Sequence, residues 1–138
     1  MTTTFQLTGP LPDSTLLLEA SAGTGKTFTI AALAVRYVAE AGLDIGELLM
    51  ITFNTNAADE LRARVHGALV DAAAHLRAVA DGGAPPTDNP VAEHLAGLGD
   101  PELRIARIER ALDGFDRATI TTTHAFCRGA LVLSLIHI

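Results

Sequence analysis

The densest chemistry in the chain lies in Leu17–Thr29, LLEASAGTGKTFT. Eight of these residues, Ala20-Ser21-Ala22-Gly23-Thr24-Gly25-Lys26-Thr27, follow the phosphate-binding pattern G-x-x-x-x-G-K-[ST], with alanine in place of the first glycine. Small residues let backbone N–H groups curl around phosphate oxygens, and the helix that follows offers an N-terminal end worth about half a positive charge. In such a cradle Lys26 neutralises the β- and γ-phosphates, and the Thr27 hydroxyl takes one coordination site of Mg²⁺. ATP and Mg²⁺ are therefore the expected cofactors. The bland alternative is a glycine turn that only joins a strand to a helix. The cradle alone does not separate a kinase, a GTPase, a transporter ATPase and a motor.

Two later segments carry a second kind of chemistry. One is Ile51-Thr52-Phe53-Asn54-Thr55-Asn56 and the helical residues after it; the other is Thr121-Thr122-Thr123-His124-Ala125-Phe126-Cys127. Each combines hydroxyls or amides with one aromatic ring, the equipment for gripping a phosphodiester backbone and stacking a base without reading sequence. Their plain reading is core and turn, with His124 a hydrogen-bonded cap.

These segments need elements to hold them. Thr15–Glu19 is a short apolar run ending in small residues and predicts a first strand feeding the cradle. A first helix follows Lys26-Thr27, with Phe28, Ile30, Ala31, Leu33, Ala34, Val35, Val38 and Ala39 at helical spacing and Ala41-Gly42 as its stop. Leu48–Phe53 reads as a second, parallel strand. Ala57, Ala58, Leu61, Val65, Leu69, Ala72, Leu76 and Val79 then predict a long amphipathic helix of ~36 Å. Glycines and prolines at positions 81–88 break it. Asn89-Pro90 and Asp100-Pro101 each read as an N-cap followed by proline in the first helical position, so two further helices are expected, the second running to about Leu112. Its Arg104, Arg107 and Arg110 read as a solvated face with stem packing, with a phosphate-binding row as the alternative. Ala118–Thr123 predicts a third strand and a helix follows from His124. This order is α/β, with a parallel sheet and covering helices, because each parallel crossover needs a helix-sized connection. In an open parallel sheet ligands collect beyond the carboxyl ends of the strands, so the three segments are expected on one rim.

The 138 residues amount to one domain, with 49% hydrophobic and 19% charged residues and no apolar run near the roughly 18 residues that span a bilayer. No secretory signal pattern is present at MTTTFQLTGP, and the lone Cys127 has no internal partner, so a cytoplasmic protein with no membrane association is expected. A net charge of −6 gives no domain-wide basic signature, so nucleic-acid binding must rest on local residues.

LLEASAGTGKTFTIAAL, LLMITFNTNAADELRARV and ATITTTHAFCRGAL together resemble the first three motifs of the UvrD-like superfamily 1 helicases. EASAGTGKT, THAFC and TDNP (Thr87–Pro90) are most similar to the RecB-type helicase-nuclease subunits among them. The likeness runs from about Leu16 to Val132. It implies a P-loop NTPase (RecA-like) fold: a partial ATP-binding domain over residues 1–132, an incomplete first motor domain with a helical insertion at about 84–114. It also implies ATP-driven 3′-to-5′ DNA unwinding with exonuclease activity in double-strand-break repair and recombination. Implied partners are single-stranded and double-stranded DNA, and RecC-like and RecD-like subunits in a heterotrimer. Thr52, Phe53, Asn54, Thr123, His124 and Phe126 become the implied DNA contacts. Asn54-Thr55-Asn56 departs from the family's threonine-rich wording, and Gln6 is not assigned the adenine-reading role of the UvrD-type glutamine. Stand-alone UvrD-type and AddA-type helicases, or a non-motor nucleotide-binding module, are the alternative readings.

Hydrolysis in these motors also needs a Walker B acid pair and arginines from a second motor domain. No such segment occurs in residues 1–138, so the catalytic residues lie outside this chain, which alone is expected to bind nucleotide weakly and not turn it over. The final hexapeptide, Leu133-Ser134-Leu135-Ile136-His137-Ile138, is what CTG TCT CTT ATA CAC ATC, a transposase-end sequencing adapter, encodes. A non-native tail over 133–138 is expected on that basis; an ordinary amphipathic helix end is the alternative.

Overall fold

A computed structural model describes residues 5–18, 26–85 and 88–136. The elements run α1 (Lys26–Ala39), a 3₁₀ turn (Ile45–Glu47), β1 (Leu49–Thr52), α2 (Thr55–Ala80), α3 (Pro90–Gly97), α4 (Pro101–Asp113), a second 3₁₀ turn (Phe115–Arg117), β2 (Thr119–Thr122) and α5 (Thr123–Ile136). β1 and β2 pair in parallel, with Leu49 opposite Thr119 and Thr52 opposite Thr122.

Polar residues at each helix start explain where the helices begin. Asn54 Oδ1 accepts from Ala57 N at 2.8 Å, Asn89 Oδ1 from Ala92 N at 3.1 Å, and Thr122 Oγ1 from Ala125 N at 3.1 Å. Asp100 caps α4 from the left-handed region, at φ 53°, which aspartate tolerates better than most residues. The prolines expected at the starts of α3 and α4 sit there, where the missing N–H has no intrahelical acceptor to lose.

One hydrophobic cluster holds these elements together. On α2, which is ~39 Å long, Ala58, Leu61, Val65, Leu69, Ala72 and Leu76 form a buried stripe at three- and four-residue steps. It packs with Val35, Val38 and Ala39 of α1, Val91, Ala92 and Leu95 of α3, and Ile108 and Ala111 of α4. The segment read as an insertion thus supplies core residues.

One expectation about the sheet is corrected. Residues 15–18 form no strand, and Leu17 is 80% exposed. A strand is held by ladder hydrogen bonds to a neighbour, and the described sheet has two strands, β1 and β2. Glu19 lies outside the described residues. The faces of β1 differ: Met50 and its register partner Ile120 join the core, whereas Leu49 and Ile51, on the opposite face, stay exposed.

The three arginines of α4 do not form a solvated row. Arg104 Nη1 donates to Ala39 O at 2.9 Å, and Arg107 Nη1 donates to Ala39 O at 3.1 Å and Glu40 O at 3.3 Å. They satisfy carbonyls at the C-terminal end of α1 and place positive charge at its negative pole. Only Arg110 of the three stays exposed. Arg36, 1% exposed, is stabilised by a bidentate contact with Glu40 (2.9 and 3.1 Å) and by Leu7 O at 3.0 Å, and its Nη2 lies 3.1 Å from His94 Nε2. This cluster ties α1 to α3 and to the N-terminal segment.

Candidate nucleotide and nucleic-acid site

Parallel pairing settles where two of the three functional segments sit. Because Thr52 and Thr122 are register partners, the residues after them, Phe53 and Thr123, leave the sheet side by side at the carboxyl edge. Adjacent strands lie about 4.8 Å apart. Thr52, Phe53, Asn54, Thr123, His124 and Phe126 therefore share one edge, between the end of the sheet and the starts of α2 and α5.

Their side chains are not equally available. Phe53 is 99% exposed, a ring with almost no intramolecular contact. Phe126 is 39% exposed, and Thr123 and His124 are exposed. Thr52 Oγ1 donates to Asn54 O at 3.2 Å, so its hydroxyl proton is used locally and its lone pairs remain. The carbonyl oxygen of the Asn54 side chain is spent on the α2 N-cap, which leaves the amide N–H₂ as its group for an external phosphate. The cap could have been read from sequence, since asparagine before a helical run is a favoured N-cap.

The edge is braced from beneath. Arg62, two turns into α2, donates from Nη2 to Ile120 O at 2.9 Å and ties α2 to β2. In front of the strands, Asp44 and Arg117 link the two 3₁₀ turns, Nη1 to Oδ1 at 3.1 Å. The Asp44 carboxyl is held below the usual aspartate range, first by the Gly46 N–H it accepts and then by Arg117. Neither arginine announces itself in sequence, because each partner lies far along the chain.

Of the cradle, Lys26 and Thr27 are described; Ala20, Ser21, Ala22, Gly23, Thr24 and Gly25 lie outside the described residues. Lys26 is exposed and Thr27 half-buried, and both open the 14-residue α1, whose first turn carries no acidic side chain. A helix N-terminus that brings a lysine and a hydroxyl, with no carboxylate in its first turn, fits a bound phosphate and its Mg²⁺. Beside this turn, Phe28 forms part of the wall of a cavity of about 510 Å³ between α1, α2 and the start of α3, with Arg64, Asp71 and Asn89 also on its walls.

The UvrD/REP helicase N-terminal domain matches residues 3–136. The chain belongs to the UvrD/REP helicase family. Among similar proteins, the RecBCD enzyme subunit RecB of Mycobacterium tuberculosis H37Rv is 49% identical over 135 residues, 95% of this chain and 12% of the relative. The RecBCD enzyme subunit RecB of Escherichia coli K12 is 38% identical over 128 residues, 86% of this chain and 10% of the relative. An ATP-dependent helicase/nuclease subunit of Alkaliphilus metalliredigens is 30% identical over 114 residues, 83% of this chain and 7% of the relative. The chain thus spans a small fraction of each relative's length. As a UvrD/REP helicase domain it is an α/β unit from a family of helicase and nuclease subunits. No described helix is long and apolar enough to cross a membrane.

Proposed function

We propose that this chain is the ATP-binding N-terminal part of a RecB-type helicase-nuclease subunit. In the whole subunit it serves ATP-driven 3′-to-5′ DNA unwinding with exonuclease activity in double-strand-break repair and recombination. The observation that carries the reading is the register of Thr52 with Thr122, which sets Phe53 beside the THAF segment in a chain of the helicase family. On this reading the fold is the front of a P-loop, RecA-like motor domain, residues 1–132, and the partners are DNA and RecC-like and RecD-like subunits.

Mg²⁺·ATP, when bound, would supply the phosphoryl group whose hydrolysis powers movement. By the phosphate-binding pattern of Ala20–Thr27, the small residues Ala20–Gly25 and the α1 N-terminus would hold its phosphates, Lys26 would neutralise them, and Thr27 would offer a hydroxyl to the metal. Phe53 and Phe126 offer rings to bases, while Thr52, Asn54, Thr123 and His124 offer polar groups to the backbone, a division suited to sequence-independent grip. The acids and arginines that complete hydrolysis belong to other parts of the subunit, so this chain alone binds without turnover. The AddA-type alternative draws support from the Alkaliphilus helicase/nuclease relative.

Titration of the chain with a fluorescent ATP analogue and Mg²⁺ tests the nucleotide half of the proposal. Weak binding that Lys26→Ala abolishes supports it. Equal binding by Lys26→Ala, or steady ATP turnover by this chain alone, would sink it.

A further inference from the structure

His124 and Arg128 stand one turn apart on the first two turns of α5, with Arg128 Nη2 2.8 Å from His124 Nε2. A guanidinium carries only donors, so in this contact His124 Nε2 is the acceptor, the role of the Nδ1–H tautomer. Both side chains are exposed. β1 and β2, against which α5 packs, contribute no titratable side chain beside this pair.

The cations near this sheet differ in how they are used. Arg62 is bonded to Ile120 O, and Arg117 is paired with Asp44. Among the described residues Arg128 has no carboxylate partner, and one contact with His124 leaves most of its five N–H donors for an external acceptor. Its planar fork matches two phosphate oxygens. We propose that Arg128 is a phosphodiester-binding residue of the single-stranded DNA edge, and that by donating to Nε2 it holds His124 as an Nδ1–H donor toward the same strand. This inference rests on the DNA-binding reading above and adds to it a residue that the motif resemblance did not supply.

The test uses the 138-residue chain and a fluorescein-labelled oligo(dT), with anisotropy followed over a KCl series. Arg128→Gln removes the charge and keeps a side-chain N–H donor; Arg77→Gln, at an exposed arginine paired with Glu109 between α2 and α4, is the control. Losing one phosphate contact on a single strand lowers the magnitude of the log–log salt slope by about 0.7. That decrease is expected for Arg128→Gln and not for Arg77→Gln. Phe53→Ala should weaken binding and keep the slope. Nitrogen-edited NMR of the His124 ring should show the Nδ1–H tautomer in the parent chain. If Arg128→Gln keeps the parent slope while Phe53→Ala weakens binding, the Arg128 role is overturned and the DNA edge stands. If the parent chain does not bind oligo(dT), or neither Phe53→Ala nor Arg128→Gln alters binding, the DNA-edge reading falls and this inference with it. An Nε2–H tautomer in the parent overturns the His124 arrangement.

Discussion

Truncating Phe53 to alanine should separate folding from function. Its side chain is 99% exposed, so its removal withdraws almost no apolar surface from the core, and the transfer term on folding is close to zero. Stability should stay within about 0.5 kcal/mol of the parent, as for other surface substitutions, because the neighbouring α2 cap is made by the Asn54 side chain and not by Phe53. Binding should respond differently. A base stacked on an aromatic ring is worth about 1–3 kcal/mol, which at RT of about 0.59 kcal/mol corresponds to roughly 5- to 160-fold in affinity for single-stranded DNA. Urea unfolding followed by circular dichroism measures the first quantity, and anisotropy with labelled oligo(dT) at fixed low salt measures the second. Phe53→Tyr keeps the ring and should retain most of the affinity. The reasoning fails if Phe53→Ala unfolds the chain as readily as a core truncation does, or if its oligo(dT) affinity equals that of the parent.

Gly42 ends α1 at φ +77°, and a Cβ there would stand 3.2 Å from Arg107 Cζ, so Gly42→Ala should destabilise by about 1 kcal/mol or more. An unchanged urea midpoint would contradict both the left-handed turn and the arginine cap. The depressed Asp44 carboxyl contributes stability at pH values above the unfolded aspartate value of about 3.9, and that contribution is lost as pH falls through the lower folded value. Asp44→Asn should therefore lower the urea midpoint near neutrality and flatten its decline in acid; an acid profile parallel to the parent's would contradict the assignment.

Local chemistry was legible in the sequence where it acts over a few residues. Asn89-Pro90 and Asp100-Pro101 begin α3 and α4 as expected, and the α2 stripe recurs at positions 58, 61, 65, 69, 72 and 76 as its periodicity demands. Both apolar or β-branched runs read as the later strands are strands, each trimmed at its ends. Features set at long range were not legible. Arg104 meets Ala39 across 65 positions, and nothing in its own neighbourhood distinguishes a C-terminal cap from a solvated arginine. The same holds for Arg62 on Ile120 O, 58 positions away. Leu16–Leu18 look like a strand because they are apolar, but strand formation depends on a partner edge that local composition does not encode. At the candidate site the residue types were readable. The nearly complete exposure of Phe53 required the fold.

The central claim is that this chain forms the ATP- and DNA-contacting front of a helicase motor. The most direct measurement is the ATPase rate of the whole subunit that the proposal assigns, with and without single-stranded DNA, for the parent and for Lys26→Ala. Many-fold stimulation by single strands, abolished by Lys26→Ala, is the expected result. ATP hydrolysis indifferent to single-stranded DNA, or retained by Lys26→Ala, would contradict it.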